Sequence, residues 1–274
     1  MILLFYTVIA GFLLPVPELP ILNETIRNLY FHVTMWFVMI THMVISIVYS
    51  IRFLTNSQLR YDMKAEQYSQ TGMVFGIAGL ITGMIWAKFT WGAFWVNDTK
   101  LNGVAAAMLM YAAYFILRNA TDDENKRAKL SAVYLVFAFP LMMAFIFILP
   151  RMTDSLHPGN GGNPAFGQYD LDNNMRMVFY PAIIAWTLLG LWITSIRIRI
   201  KFMERNKLIR IIVLLSVLPS VTFADGVEMA DALRSNGKIY VVVAVLCVVL
   251  ATVLLYLFSI DRKVKKMEEK FKNK

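Results

Sequence analysis

Histidine and tryptophan are the side chains of this sequence best suited to chemistry. Its 274 residues include three histidines, His32, His42 and His157, and three of its six tryptophans fall within residues 86–95. An imidazole can ligate a transition metal, and a flat indole ring can cover a planar apolar ligand. His32 stands at the start of one apolar stretch and His157 follows another, so the two can reach the same membrane face. That arrangement suits the two axial ligands of a heme iron, although each histidine is also compatible with a polar residue at the membrane surface.

The stretch from Thr82 to Asp98 is denser in aromatic residues than an ordinary interfacial belt. It carries three tryptophans and two phenylalanines around Gly92, and a belt would explain one or two of them. Indole rings beside a glycine that permits close backbone approach predict a shelf for a flat apolar macrocycle. Lys88 and Lys100 flank this shelf, where they could pair with anionic propionate groups or simply be solvated.

Eight apolar segments are available to position these residues. They cover about 1–17, 30–50, 71–87, 101–117, 131–150, 177–196, 211–222 and 239–260. A spanning helix needs about 17–25 apolar residues, so most segments qualify, while 211–222 is short and contains Pro219. The chain is 58% hydrophobic and only 16% charged, which excludes the class of soluble enzymes. We therefore predict an all-α, polytopic helical bundle with six core spans and two more in a C-terminal extension.

The distribution of positive charge predicts the topology. Of the 27 lysines and arginines, 20 lie in alternate loops and the C-terminal tail, and seven lie in the remaining loops. The positive-inside rule then places both termini in the cytoplasm. It places His32, the tryptophan-rich stretch and His157 on the outer face of the inner membrane. The net charge of +9 is therefore a topological label and offers no basic patch for nucleic acid.

Several function classes lack their motifs in this sequence. Cys247 is the single cysteine, so the chain encodes no disulfide, no thiol-redox pair and no CxxCH attachment of heme. It has no GxxxxGKS or GxxxxGKT loop, so it is not the ATP-hydrolysing part of a transporter. With these motifs absent, we predict that the protein is not an enzyme.

The order of these features resembles the heme exporter protein C family of cytochrome c maturation. The residues that match the family's tryptophan-rich signature are Thr82, Gly83, Trp86, Trp91, Gly92, Trp95 and Asp98. Asn97 is a departure, because the family usually has tryptophan there. The resemblance covers about residues 1–205 and six spans.

This resemblance implies a heme site with His32 and His157 as axial ligands of the iron. Its shelf and rim would be formed by Trp86, Lys88, Trp91, Gly92, Trp95 and Asp98. The protein would bind heme b transiently and pass it to a membrane-anchored heme chaperone. It would work with the ATPase and membrane subunits of an ABC transporter. Three alternatives stay open: a transporter that moves heme across the bilayer, a heme lyase subunit of the alternative cytochrome c assembly system, and an aromatic-anchored scaffold without ligand.

Residues 207–274 form a predicted extension to the six-span domain 1–206. Its first part, which ends near Ala224, has the basic, apolar and small-residue order of a signal peptide, and cleavage there would release a one-span peptide. The remainder, one span and a charged helix, resembles the small accessory subunit of the same assembly system, here fused to its larger partner. An ordinary extra pair of spans is the alternative.

Two further features have competing interpretations. His42 lies about 15 Å deeper than His32 along a helix, either as a core histidine or as a ligand of a second heme. Residues 158–164 are rich in glycine and asparagine and predict a loop. That loop is either a plain surface connection or a mobile arm that carries His157 on and off the iron.

Overall fold

Every regular element in the described part of the chain is helical. The structure is a computed structural model that describes residues 1–19, 21–157, 171–205 and 239–272. In chain order its elements are α1 (Ile2–Leu13), a 3₁₀ helix (Asn23–Tyr30), α2 (Val33–Asn56), α3 (Leu59–Trp91), α4 (Thr99–Asn119), α5 (Glu124–Met143), a π-helical turn (Ala144–Ile148), α6 (Leu149–Met152), α7 (Asn173–Arg205) and α8 (Ile239–Lys272).

Six helical stretches of the described residues are long and apolar enough to cross a membrane. They are Asn23–Asn56, Leu59–Trp91, Thr99–Asn119, Glu124–Met152, Asn173–Phe202 and Val243–Ile260. This confirms the predicted polytopic helical bundle, while the predicted segment 211–222 lies outside the described residues.

The first apolar segment differs from its prediction. Residues 1–17 form only the 12-residue α1, about 18 Å long against roughly 30 Å of bilayer hydrocarbon. The helix stops at Leu13 because Pro15 and Pro17 follow, and a residue before proline disfavours the helical conformation. Leu14 is accordingly extended, with φ −74° and ψ 145°.

Glycines of α3 let α2 approach it closely. A Cβ atom at Gly79 would lie 2.9 Å from the ring of Trp36, and one at Gly83 would lie 2.7 Å from Cε1 of His32. Real side chains do not approach so closely, so a larger residue at either position would force the ring of Trp36 or of His32 to move. The glycines therefore set the distance at which His32 meets α3.

Arg27 fastens α1 to the 3₁₀ helix. Its buried guanidinium donates through Nη1 to the carbonyl oxygens of Gly11 at 2.8 Å and Leu14 at 2.6 Å, and through Nε to Glu24 at 2.6 Å. Carbonyls at a helix C-terminus have no partner within the helix and carry partial negative charge, so a cation there is stabilising. This contact holds in place the segment that leads into His32.

A polar network ties α3, α4 and α7 together at the end of the bundle far from His32. Arg118 donates to both carboxylate oxygens of Asp62 at 2.7 Å and to Glu66 at 3.3 Å. Gln70 donates to Glu66 at 3.2 Å, and its amide oxygen accepts a hydrogen bond from Arg197. A cavity of about 650 Å³ opens beside the part of this network formed by Asp62, Glu66 and Arg118.

Candidate functional site

The predicted site residues gather at one end of the bundle, here called the histidine end. It consists of the start of α2 with His32, the last three turns of α3 from Thr82 to Trp91, the connection to Asp98, and the segment 153–157. The left-handed Gly92, with φ +86°, ends α3, and its N–H bonds the carbonyl of Lys88. Asp98 then begins α4 by accepting hydrogen bonds from the backbone N–H groups of residues 100 and 101.

His32 is held by a threonine of α3. Its Nδ1 lies 3.0 Å from Oγ1 of Thr82. The hydroxyl of Thr82 already donates to the carbonyls of Ala78 at 2.8 Å and Gly79 at 3.0 Å, so toward His32 it can only accept. With the hydroxyl donating to a backbone carbonyl, Nδ1 of His32 donates to Oγ1 of Thr82, and in that tautomer the lone pair of the neutral ring lies on Nε2. A fixed acceptor on the other ring nitrogen is the usual support of a metal-ligating histidine.

His157 is held in the same way by a carboxylate. Its Nδ1 lies 3.0 Å from Oδ1 of Asp98, which is buried, while the imidazole is about one-fifth exposed. Oδ2 of Asp98 accepts further hydrogen bonds from Ser155 Oγ at 2.8 Å and from the N–H of Leu156 at 2.7 Å. One aspartate therefore caps α4, folds the segment before His157 and orients the imidazole.

The protonation states of this pair follow from its surroundings. Burial would raise the pKa of Asp98, but the hydrogen bonds from His157, Leu156 and Ser155 outweigh it and hold that pKa well below its usual range. Burial lowers the pKa of His157, against the raising effect of Asp98, and the nearby Lys100 lowers it further. The imidazole is therefore neutral at neutral pH, which is the form that binds a metal.

Both imidazoles lie beside tryptophans of α3. The ring of His32 is 5.7 Å from Trp86 and 6.3 Å from Trp36, and the ring of His157 is 4.8 Å from Trp91, all in edge-to-face arrangements. His32 and His157 are also close enough to interact electrostatically. The structure therefore brings the two histidines to the same end of α3, as the sequence predicted.

Two cations face the histidine pair. Lys100 interacts electrostatically with both His32 and His157, and Arg151 interacts with Lys100. Lys88 differs, because its Nζ donates to the carbonyl of Gly92 at 2.8 Å and its side chain is exposed. Arg151 carries no motif that would mark it in the sequence. Thr82 was predicted only as part of the tryptophan-rich signature, and its contact with His32 was not predicted.

The remainder of the tryptophan-rich stretch lies at the surface. Phe89 and Phe94 are 61% and 54% exposed, and Trp95 is also exposed, with its Nε1 donating to Asn102 at 3.2 Å. Asn97, the departure from the family signature, accepts from the same Asn102 at 2.9 Å. Around Gly92 nothing lies within 4 Å of a Cβ position, so its positive φ by itself accounts for glycine there.

His42 does not belong to the histidine end. It is fully buried in the middle of α2, and its Nδ1 lies 2.8 Å from the carbonyl of Val38, one turn earlier. Its ring packs 5.7 Å from Tyr68 and 6.3 Å from Phe75. These contacts favour the interpretation of His42 as a core histidine. The glycine-rich residues 158–164 that follow His157 lie outside the described residues.

Comparisons with known proteins find two family matches along the chain. A family model described as heme exporter protein C matches residues 1–212, and one described as CcmD family protein matches residues 210–268. The chain is 26% identical over 220 residues to "Heme exporter protein C" of Bradyrhizobium diazoefficiens, covering 78% of this chain and 79% of that protein. It is 24% identical over 184 residues to the protein of the same name from Paracoccus denitrificans, covering 67% and 76%. It is 28% identical over 138 residues to the protein of the same name from Escherichia coli K12, covering 50% of this chain and 54% of that protein.

Proposed function

The chain belongs to the heme exporter protein C family, and from that premise we propose that it holds heme between His32 and His157 and hands it to a heme chaperone. Family membership supports a role in handling heme during cytochrome c maturation. The observation that carries the proposed site is the fixed orientation of both imidazoles. Thr82 and Asp98 occupy the two Nδ1 atoms, which leaves both Nε2 atoms free to ligate iron.

The surroundings of the histidines suit a heme. Trp86 and Trp91 offer aromatic surface beside the two imidazoles, which favours a planar apolar macrocycle. Lys100 supplies positive charge near both histidines, and the anionic propionates of heme would satisfy it. Arg151 lies close enough to interact with Lys100, but it is exposed and its Nη1 donates to the carbonyl of Phe147 at 2.9 Å. Of the two lysines that flank the shelf, Lys100 therefore fits the propionates better than Lys88, whose ammonium group binds a backbone carbonyl.

The direction of delivery follows from topology and exposure. The positive-inside rule puts the histidine end on the outer face of the inner membrane and the C-terminal end of α8 in the cytoplasm. The exposed rings of Phe89, Phe94 and Trp95 stand next to the site and offer an apolar surface to a membrane-anchored heme chaperone. In this proposal the protein performs no bond-making step, binds heme b only transiently, and works with an ABC transporter.

Absorption spectroscopy tests the proposed ligands. The protein is purified in detergent after co-expression with its chaperone, as wild type and as His32→Ala, His157→Ala and His42→Ala. We expect a Soret band in the wild type and in His42→Ala, and a reduced or shifted band in the other two variants. Absence of the band from the wild type would overturn heme binding, and a band unchanged by both ligand substitutions would overturn the ligand assignment.

A further inference from the structure

The C-terminal helix α8 is packed into the bundle along one face only. Val245, Val249 and Val253 are buried and belong to the same core cluster as Ile26 and Leu29 of the 3₁₀ helix. The opposite face of α8 is exposed to the surroundings of the bundle, and its residues are Leu250, Leu254, Leu255 and Phe258. α8 contacts the 3₁₀ helix, α3 and α7.

Polar contacts fix the height of α8 against α3. The hydroxyl of Tyr256 lies 3.3 Å from Oγ1 of Thr71 on α3. The guanidinium of Arg197 on α7 lies over the ring of Tyr256, 5.0 Å from its centroid, and also donates to Gln70. Because a hydroxyl bond and a cation–π contact both depend on position, they determine the register of α8 more sharply than apolar packing does.

This register brings α8 level with the support of His32. Eleven residues separate Tyr256 from Val245, and eleven separate Thr71 from Thr82, so each pair spans about 16 Å of helix. α8 contacts the 3₁₀ helix, and the three buried valines of its cluster, Val245, Val249 and Val253, all precede Tyr256 in the chain. This order fits an α8 that runs antiparallel to α3. Val245 therefore lies at the level of Thr82, the acceptor for His32.

The 3₁₀ helix provides the other support of His32. The N–H of His32 donates to the carbonyl of Asn28 at 2.6 Å, and Trp86 of α3 donates to Thr25 at 3.2 Å. The orientation of the imidazole therefore depends on two elements, α3 through Thr82 and the 3₁₀ helix through Asn28. α8 packs against both of them.

We propose that α8 is a positioning element for His32, which presses the 3₁₀ helix against α3 through its valine face at a height set by Tyr256 and Arg197. This inference rests on the proposed heme site. A shift of α8 would change the position of Asn28 relative to Thr82 and rotate the imidazole away from the iron. The C-terminal extension would then act on heme ligation without touching heme.

A matched pair of tryptophan substitutions in the full chain tests this proposal. Val249→Trp puts a large ring on the buried face of α8, whereas Leu254→Trp puts the same ring on the face that is 63% exposed. The first measurement is a heme titration followed by absorption, which gives the heme affinity and the low-spin, two-histidine fraction of bound heme. The second is hydrogen exchange of residues 25–32 in the heme-free protein, which does not depend on heme binding.

For Val249→Trp we expect faster exchange in residues 25–32 and heme affinity lower by about tenfold, the size of effect that loss of ligand support produces. The remaining heme should shift from low-spin to mixed ligation, and Leu254→Trp should match the wild type in all three respects. Faulty folding alone would lower the yield and leave the spectrum of the bound heme unchanged. Tyr256→Phe, which removes only the hydroxyl, should produce a smaller change in the same direction.

The outcomes separate this proposal from the proposed function. One outcome would overturn only the role of α8. In it, Val249→Trp and wild type have the same low-spin heme fraction and the same exchange rates, while His32→Ala still loses the band. Wild-type protein that binds no heme would overturn the proposed function, and the exchange comparison would then still report whether α8 holds the 3₁₀ helix.

Discussion

At the scale of single residues, two acceptors decide what the histidines can do. The scarcity of histidine in an apolar sequence pointed to His32 and His157, and the resemblance to the tryptophan-rich signature added Asp98. The role of Thr82 could not be predicted in that way. A helical threonine usually bonds its own backbone, and only the packing of α2 on α3 shows that its oxygen also accepts from His32.

The pH dependence of heme ligation by His157 is the first prediction. Burial holds the pKa of His157 below the ordinary imidazole value, so protonation that would displace the iron requires a lower pH than about 6.5. Asp98 raises that pKa, so Asp98→Asn should move the acid midpoint to still lower pH. Without the oriented ring, affinity at neutral pH should fall about tenfold.

NMR titration of the His157 imidazole in the heme-free protein, from neutral pH down to about pH 4, measures the midpoint. Heme titration at neutral pH measures the affinity separately, because weaker ligation would itself raise the midpoint of the heme-bound protein. Asp154→Asn serves as control, since Asp154 is exposed and lies in the same segment but does not bond the imidazole. A midpoint that rises in Asp98→Asn would contradict the assigned direction.

At the scale of elements, α3 joins the two ends of the molecule. Its 33 residues, Leu59–Trp91, include Asp62 of the polar network near one end and Trp91 beside His157 at the other. The apolar window 71–87 predicted the middle of this helix and missed its ends, because polar turns stay helical beyond the apolar stretch. The predicted segment 1–17 was too long because it included Pro15 and Pro17, which end α1 at Leu13.

Gly83→Ala is the second prediction, because Gly83 is where α3 meets His32. Alanine favours a helix over glycine by about 1 kcal/mol, so on propensity alone the variant would be more stable. Its methyl group would, however, lie 2.7 Å from Cε1 of His32, so the imidazole must move. We expect heme affinity to fall about tenfold without a matching fall in thermal stability.

Heme titration and thermal unfolding of the same preparation measure this split for Gly83→Ala. Losing stability and affinity together would instead indicate that α2 and α3 separate as a whole. Unchanged affinity would show that the ring of His32 is free to move aside.

At the scale of the whole molecule, charge is sorted to the two ends of the bundle. The histidine end carries Lys100, Arg151 and a buried carboxylate, and the opposite end carries Arg118 with Asp62 and Glu66. The count of cations by loop predicts which membrane face each end meets, and that orientation stays a prediction. A count of this kind does not reveal pairing between elements. It could not predict that Arg118 pairs with carboxylates from a helix 56 residues away in sequence.

Arg118→Leu is the third prediction. Removing one partner of a buried ion pair leaves Asp62 uncompensated, and we expect a loss of about 3–5 kcal/mol in the free energy of unfolding. The matched control is Arg60→Leu, since Arg60 is exposed and contacts the hydroxyl and the ring of its neighbour Tyr61. This substitution should cost less than about 1 kcal/mol. Thermal unfolding in detergent compares the two, and equal losses would contradict the assignment of Arg118 as the centre of the network.

The contact between Arg197 and the ring of Tyr256 can form only late in the synthesis of the chain. Synthesis proceeds from the N-terminus, so α7 enters the membrane before the ribosome has added the tyrosine that covers its arginine. Until then the guanidinium has Gln70 at its side but no aromatic ring above it. Arg197 stands near the end of α7, just after the apolar stretch 177–196, so its long side chain can keep its charge close to water while α7 inserts. What α8 adds later is therefore the packing around this guanidinium, and α7 reaches its final surroundings only when α8 is in place.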